Sequence, residues 1–186
     1  MPSSKLFVIS GPSGAGKGTL VARLMNEQPN LWLSVSATTR APREGEIPGV
    51  SYVFMTKEQF EQGIAEDEFL EWAKYNNNYY GTPLVPIKEH LAAGCPVILE
   101  IEVQGAFQVR KLFPDACLIF IEPPSREELR RRLQDRGTES EEVIDARMKT
   151  AEEEMKLRFD YDIRLVNDTL DVAVKELSAI IQEQCK

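Results

Sequence analysis

The residues best equipped for chemistry lie together near the start of the chain, in Gly11, Pro12, Ser13, Gly14, Ala15, Gly16, Lys17, Gly18 and Thr19. The apolar run Leu6–Ile9 before them reads as a buried strand, and the amphipathic run Leu20–Met25 after them reads as a helix. Strand, glycine-rich turn, lysine and helix is the context of a phosphate-binding P-loop. The glycines let backbone N–H groups turn inward, the helix adds its positive dipole end, and Lys17 supplies a mobile cation for terminal phosphates. One feature departs from the usual pattern: Gly18 follows the lysine where a serine or threonine hydroxyl normally meets magnesium, and the hydroxyl arrives one residue later on Thr19. This arrangement predicts a metal held by nucleotide oxygens and water, with no direct protein ligand assigned and Thr19 or Glu100 as the candidates.

Three further groupings carry polar chemistry. Arg40 and Arg43 flank a proline turn and can converge as planar donors on one phosphate, with hydroxyls following at Tyr52, Tyr80 and Thr82. On composition alone the same stretch reads more readily as a solvated loop with surface arginines; the need of a P-loop kinase for a second anion site shifts the balance toward the phosphate reading. Glu100 and Glu102 alternate with Leu99 and Ile101 in strand fashion, which turns both carboxylates to one face. Arg126 to Arg158 is strongly charged and helical, with Arg132, Arg136 and Arg147 within it and an interruption at Arg136-Gly137.

The elements that must position these residues follow from patterning. Apolar runs at Leu6–Ser10, Pro96–Ile101, Cys117–Ile121 and Ile163–Val166 alternate with helical patterns. Such alternation predicts an α/β fold, a parallel sheet flanked by helices. Thr82-Pro83 reads as a helix start with Gly94 as its stop, Thr56 with Gln59 and Ser125 with Glu128 read as capping boxes, and Leu170–Gln184 reads as a final amphipathic helix. Two stretches break the alternation: 34–82 reads as an inserted subdomain with short strands at Ser34–Thr38 and Val50–Met55, and 125–158 as an arginine-rich helical lid. The core then comprises about 1–33, 83–124 and 159–186 of a single domain.

With 186 residues the chain can bury one substantial core, and its net charge of −8 makes it a poor general binder of nucleic acid or anionic membrane. The odd cysteine count, Cys95, Cys117 and Cys185, argues against a disulfide framework, and the first two read as core residues. Met1–Lys5 is too short and polar for a signal peptide and no apolar run could span a bilayer, so cytoplasm is the expectation. His90 falls away from every motif and reads as a surface residue.

Taken together, the motifs resemble the guanylate kinases from end to end. The resemblance is carried by Ser10–Lys17, Ser34–Gly45, Glu68–Trp72, Asn78–Thr82, Leu99–Gly105, Arg132–Glu139 and Val166–Asp168. It implies a P-loop NTPase-type sheet with a GMP-binding insert and a lid, and the reversible transfer of a phosphoryl group from ATP to GMP, with Mg²⁺, in purine metabolism and GMP recycling. The residues matching Glu71 and Glu102 would accept from the N1/N2 edge of guanine, and those matching Ser36 and Thr82 would face O6 and N7. Arg40, Arg43, Tyr52 and Tyr80 would hold the GMP phosphate. Gly11 to Thr19 would hold the ATP phosphates and Asn167 would lie near adenine, although Asn167 alone reads as well as a turn residue. Lys17, Arg132, Arg136 and Arg147 would meet the transferred group, and Glu100, counted with the GMP-binding set, would orient metal-bound water or an arginine. The family also includes non-catalytic scaffold modules, but those tend to lose the P-loop lysine and lid arginines that stand here. A related kinase acting on a ribose bisphosphate would have no use for the guanine set.

Overall fold

The computed structural model describes residues 5–135 and 140–186. Its centre is a five-stranded parallel sheet in the order β2-β7-β1-β8-β9. The strands are β1 (Leu6–Ser10), β2 (Trp32–Leu33), β7 (Val97–Glu100), β8 (Cys117–Glu122) and β9 (Ile163–Val166). β1 is buried at every residue, and so is β8 up to Glu122. Such continuous apolar runs suit strands covered on both faces.

Alternation along β1 divides the core. Phe7 and Ile9 join Leu20 and Leu24 of α1 (Lys17–Glu27) and Leu177 and Ile181 of α7 (Leu170–Gln184) on one face. Leu6 and Val8 join Ile87 of α3 (Leu84–Ala92) and Val103 and Val109 of α4 (Val103–Leu112) on the other. Strand β1 pairs with β7 on one side and β8 on the other, so the sheet changes direction of growth there. Ligand crevices in open α/β sheets form at the carboxyl ends of strands at such a switch point.

A second, four-stranded sheet runs β4-β3-β6-β5, from β3 (Ala37–Thr38), β4 (Val53–Phe54), β5 (Phe69–Tyr75) and β6 (Asn78–Pro83). It has its own small core of Ala37, Phe60 and Phe69, to which α2 (Lys57–Ala65) contributes Phe60. The capping box at Thr56 and Gln59 forms as the sequence indicates. The strands expected at Ser34–Thr38 and Val50–Met55 shrink to two paired residues each, because only those residues meet a partner strand.

Helices α5 (Arg126–Asp135) and α6 (Glu141–Lys156) bury Leu129, Leu133, Ile144, Met148 and Ala151 against one another. Ser125 accepts the Glu128 N–H at 3.1 Å, but the Glu128 side chain turns to Arg131 and Arg132 and does not close the box. The expected helix start at Thr82 is also wrong. Thr82 is a β6 residue, Pro83 stands at the helix cap, and the Thr82 hydroxyl is used elsewhere. Cys117 is buried as expected, whereas Cys95 is half-buried. His90 is no free surface residue: its ring stacks on Trp32 with centroids 3.9 Å apart.

Candidate functional site

The P-loop joins β1 to α1 at the carboxyl edge of the sheet. Gly14 and Gly16 adopt φ of 90° and 80°, left-handed values that side chains resist. Gly16 stands at the cap of α1, which has no side-chain cap, so the first N–H groups of the helix stay open toward an anion. Lys17 Nζ donates to the Gly11 carbonyl at 3.3 Å. A Cβ at Gly18 would lie 3.4 Å from Glu100 Oε1, so Glu100 occupies the space beside the residue that lacks the usual hydroxyl. Thr19 instead lines a cavity of about 310 Å³ with Arg132, Asn167 and Asp168.

The α5–α6 pair reaches the same loop. Leu129 and Leu133 press on the Gly14 turn, and each such buried leucine contributes about 2 kcal/mol. Arg132 donates to the Asn167 carbonyl at 3.0 Å and to Glu128 at 2.9 Å. Asn167, buried, donates its amide to the Ala15 carbonyl at 2.9 Å, which clamps the loop. Arg147 donates to Ser13 Oγ at 2.8 Å. Arg136, also expected here, lies outside the described residues. Arg126, Arg130 and Arg131 engage acidic neighbours on the two helices, as ordinary surface pairs do.

Across the crevice, Glu71 of β5 pairs with Thr82 of β6, and the Thr82 hydroxyl donates to Glu71 Oε1 at 2.6 Å. Glu71 is 9% exposed. Burial, with Glu102 nearby, pushes its carboxyl above the usual range, while the Thr82 bond partly offsets this. Gln108 of α4 exchanges two hydrogen bonds with the Trp72 backbone, both 3.2 Å, and so pins β5 against the core. Glu100 ends β7 and Glu102 stands at the cap of α4. Burial raises the Glu100 carboxyl, Lys17 lowers it and Glu102 raises it further. Glu102 therefore acts electrostatically on both Glu71 and Glu100. Ser36 lies half-buried just before β3, at the same end of the second sheet.

The cationic loop is organised by a residue that no local pattern singled out. Glu46 accepts two bonds from the Arg40 guanidinium, 2.8 and 3.0 Å, and one from the Arg43 N–H, 2.8 Å. The guanidinium also lies over Tyr52 at 5.3 Å, and Tyr52 meets Tyr80 edge-on at 6.4 Å. Arg40, Tyr52 and Tyr80 thus come together, whereas Arg43 contributes its backbone and keeps an exposed side chain. Sequence reading also passed over Glu154 and Tyr161. The available signal for Glu154 was its spacing of seven from Arg147, two helical turns on one face.

A parallel α/β sheet with a P-loop at its switch point, faced by a second sheet carrying a buried acid and an arginine–tyrosine cluster, defines a nucleotide-dependent phosphotransferase of the P-loop class. The chain belongs to the guanylate kinase family, whose family model matches residues 3–184. It is 52% identical over 182 residues to the guanylate kinase of Synechococcus sp. (strain CC9902), covering 98% of this chain and 97% of that one. It is 51% identical over 182 residues to the guanylate kinase of Halalkalibacterium halodurans, covering 97% and 89%. The crystal structure of guanylate kinase from Anaplasma phagocytophilum superposes with a TM-score of 0.81 at 32% identity, over 100% of this chain and 89% of that one.

Proposed function

We propose that this chain transfers the γ-phosphoryl group of ATP to GMP, reversibly, giving ADP and GDP. The observation that carries the acceptor assignment is Glu71, a carboxylate 9% exposed, bonded to Thr82 and lying against Gly105 of α4. Guanine presents N1–H and N2–H₂ donors on one edge, and a buried acid facing that edge needs them. Adenine has no proton on N1 and no N2 amino group, so AMP would leave the acid unpaired at a cost of roughly 1–3 kcal/mol or more.

On this reading Glu71 and Glu102 receive the N1/N2 edge and Ser36 and Thr82 the O6/N7 side, with the Thr82 hydroxyl shared between Glu71 and the base. Arg40, Tyr52 and Tyr80 hold the GMP phosphate, and Arg43 turns its exposed side chain to the same anion. Glu46 keeps the Arg40 fork oriented between acceptors. The ATP phosphates lie on the N–H groups of Gly11 to Thr19, with adenine beside Asn167 and Asp168. Lys17, Arg132, Arg136 and Arg147 gather on the transferred phosphoryl, where charge spreads over equatorial oxygens.

Magnesium would ride on the ATP phosphates as a hydrated ion, in keeping with its reluctance to shed water. It would neutralise developing phosphate charge. Glu100, beside Gly18, is the group placed to receive its waters; Thr19 faces the adenine-side cavity instead. The insert 34–82 then serves as the GMP-binding part and 125–158 as a lid whose closure excludes water from the transfer. Among the described residues no helix is long and apolar enough to cross a membrane.

The test is ADP release from ATP and Mg²⁺ with GMP, AMP, UMP or ribose 1,5-bisphosphate as acceptor. Fast turnover with GMP alone is expected. Turnover with another acceptor would keep the P-loop assignment and overturn the guanine set. A folded protein inactive with all four would move it to the non-catalytic modules of its family.

A further inference from the structure

One side chain joins the edge of the second sheet to a helix of the first. Among the described strands β5 lies at the end of its sheet, with β6 as its one neighbour. The outer edge of such a strand presents N–H and C=O groups that no ladder satisfies. At Trp72 both groups are taken by Gln108 of α4. Its Oε1 accepts the Trp72 N–H and its Nε2 donates to the Trp72 carbonyl, each at 3.2 Å. A primary amide holds an acceptor and two donors on one plane, so Gln108 stands in for the peptide of a missing strand and closes both bonds together.

The clamp falls where β5 passes from one core to the other. Phe69 packs in the small core of the second sheet, whereas Leu70, 2% exposed, packs in the main core with Val103 and Val109 of α4. Pairing with β6 shifts register between Phe69 and Glu71. An irregularity of this kind re-aims the side chains beside it and increases the local twist, and Glu71 is the first residue paired after it. Gln108 fixes the next residue at both backbone groups, which removes the freedom of this edge to rotate. Gly105, three residues before Gln108 on the same face of α4, lies against the Glu71 carboxylate, whose Oε2 is 2.7 Å from the place of a Cβ. Helix α4 therefore meets β5 twice, once at the Trp72 backbone and once at the Glu71 side chain.

We propose that Gln108 is a positioning residue for the acceptor nucleotide, holding the Trp72 backbone on α4 so that Glu71 stands where it selects guanine over adenine. This rests on the reading of Glu71 as the acid that receives the N1/N2 edge of guanine. Trp72 is 39% exposed, so water can take over its N–H and carbonyl when the amide is removed. The loss then falls on the placement of Glu71 and spares the P-loop, which lies on β1 and α1.

The experiment compares wild type, Gln108→Met, Glu71→Gln and the double variant in steady-state kinetics with Mg²⁺-ATP and either GMP or AMP, with a thermal melt of each. Methionine keeps the length of the side chain and removes both hydrogen bonds. Gln108→Met should lose about tenfold in kcat/KM for GMP with KM for ATP unchanged, and the GMP/AMP ratio should narrow with it. In the Glu71→Gln background the same change should cost little more, because both act through one carboxylate. A folded Gln108→Met variant with the wild-type GMP/AMP ratio overturns the proposal, as does an equal loss in both backgrounds or a matching rise in KM for ATP. Should Gln108→Met fail to fold, Gln108→Glu carries the test under the same criteria, since it keeps an acceptor for the Trp72 N–H and loses the donor to the carbonyl. A Glu71→Gln variant with an unchanged ratio would remove Glu71 from base recognition and this proposal with it; a Glu71 effect without a Gln108 effect overturns this proposal alone.

Discussion

Replacing Gly105 with alanine should damage GMP use without weakening the fold. Gly105 sits in the first turn of α4, and a Cβ there would lie 2.7 Å from Glu71 Oε2, against about 3.4 Å for ordinary contact. Something must yield by about 0.7 Å, the difference of those two distances. The backbone of α4 is anchored by Val103, Ala106 and Val109 in the core, whereas the Glu71 carboxylate is the end of a flexible side chain held by the single Thr82 bond. The carboxylate should therefore move. A displacement approaching 1 Å in a positioning group costs up to about a hundredfold, so kcat/KM for GMP should fall between about 10- and 100-fold. Alanine meanwhile favours the helix by up to about 1 kcal/mol over glycine, so the melting temperature should hold or rise by about 2–4 °C. Steady-state kinetics with GMP and a thermal melt measure both. Combining Gly105→Ala with Glu71→Gln should add little to the single losses, since both act through one carboxylate. Unchanged GMP kinetics in a folded Gly105→Ala variant would refute the contact between Glu71 and the base. A melting temperature that drops with activity would show that α4, not the carboxylate, gave way.

Other perturbations separate the remaining parts. Glu71→Gln alone should lower kcat/KM for GMP by about 30- to 1000-fold, the loss of a charge-assisted bond of roughly 2–4 kcal/mol, and narrow the preference over AMP; an unchanged GMP/AMP ratio would remove Glu71 from base recognition. Gly16→Ala forces a side chain into φ 80° with its Cβ 2.5 Å from the Asn167 amide, so it should cost about 2–4 kcal/mol in urea unfolding and abolish ATP binding; stability within about 0.5 kcal/mol of wild type would refute the clamp. Glu154 makes a prediction about pH. Its carboxyl stands at about 7 in the fold against 4.5 in the free chain, so the folded chain binds that proton more tightly, and the associated stability is full below pH 4.5 and lost as pH rises through 7. Glu154→Gln should thus gain on wild type in urea unfolding above pH 7 relative to pH 4.5; a constant offset across that range would refute the raised pKa.

Much of this was legible in the chain itself. The P-loop is a local device, since glycine spacing, a lysine and the strand and helix around it are all contiguous, and β1, β8, β9 and α7 follow from runs long enough for their period to show. Membership of the family was readable for a related reason, because its motifs are short fixed strings. The short strands β3 and β4 were overdrawn, because pairing of two residues is decided by the partner strand and not by propensity. Thr82 was misread as a cap because Thr-Pro before an apolar run carries the same local signal whether the hydroxyl serves the helix or a neighbour across the sheet. Only the tertiary structure sets Glu71 against Thr82 and Gly105, gives Arg40 to Glu46, and lays Asn167 on the Ala15 carbonyl of the P-loop. Those pairs lie far apart along the chain or on opposite sides of a turn, and their energies come from desolvation and charge at distances that exist only once the sheets and helices have packed.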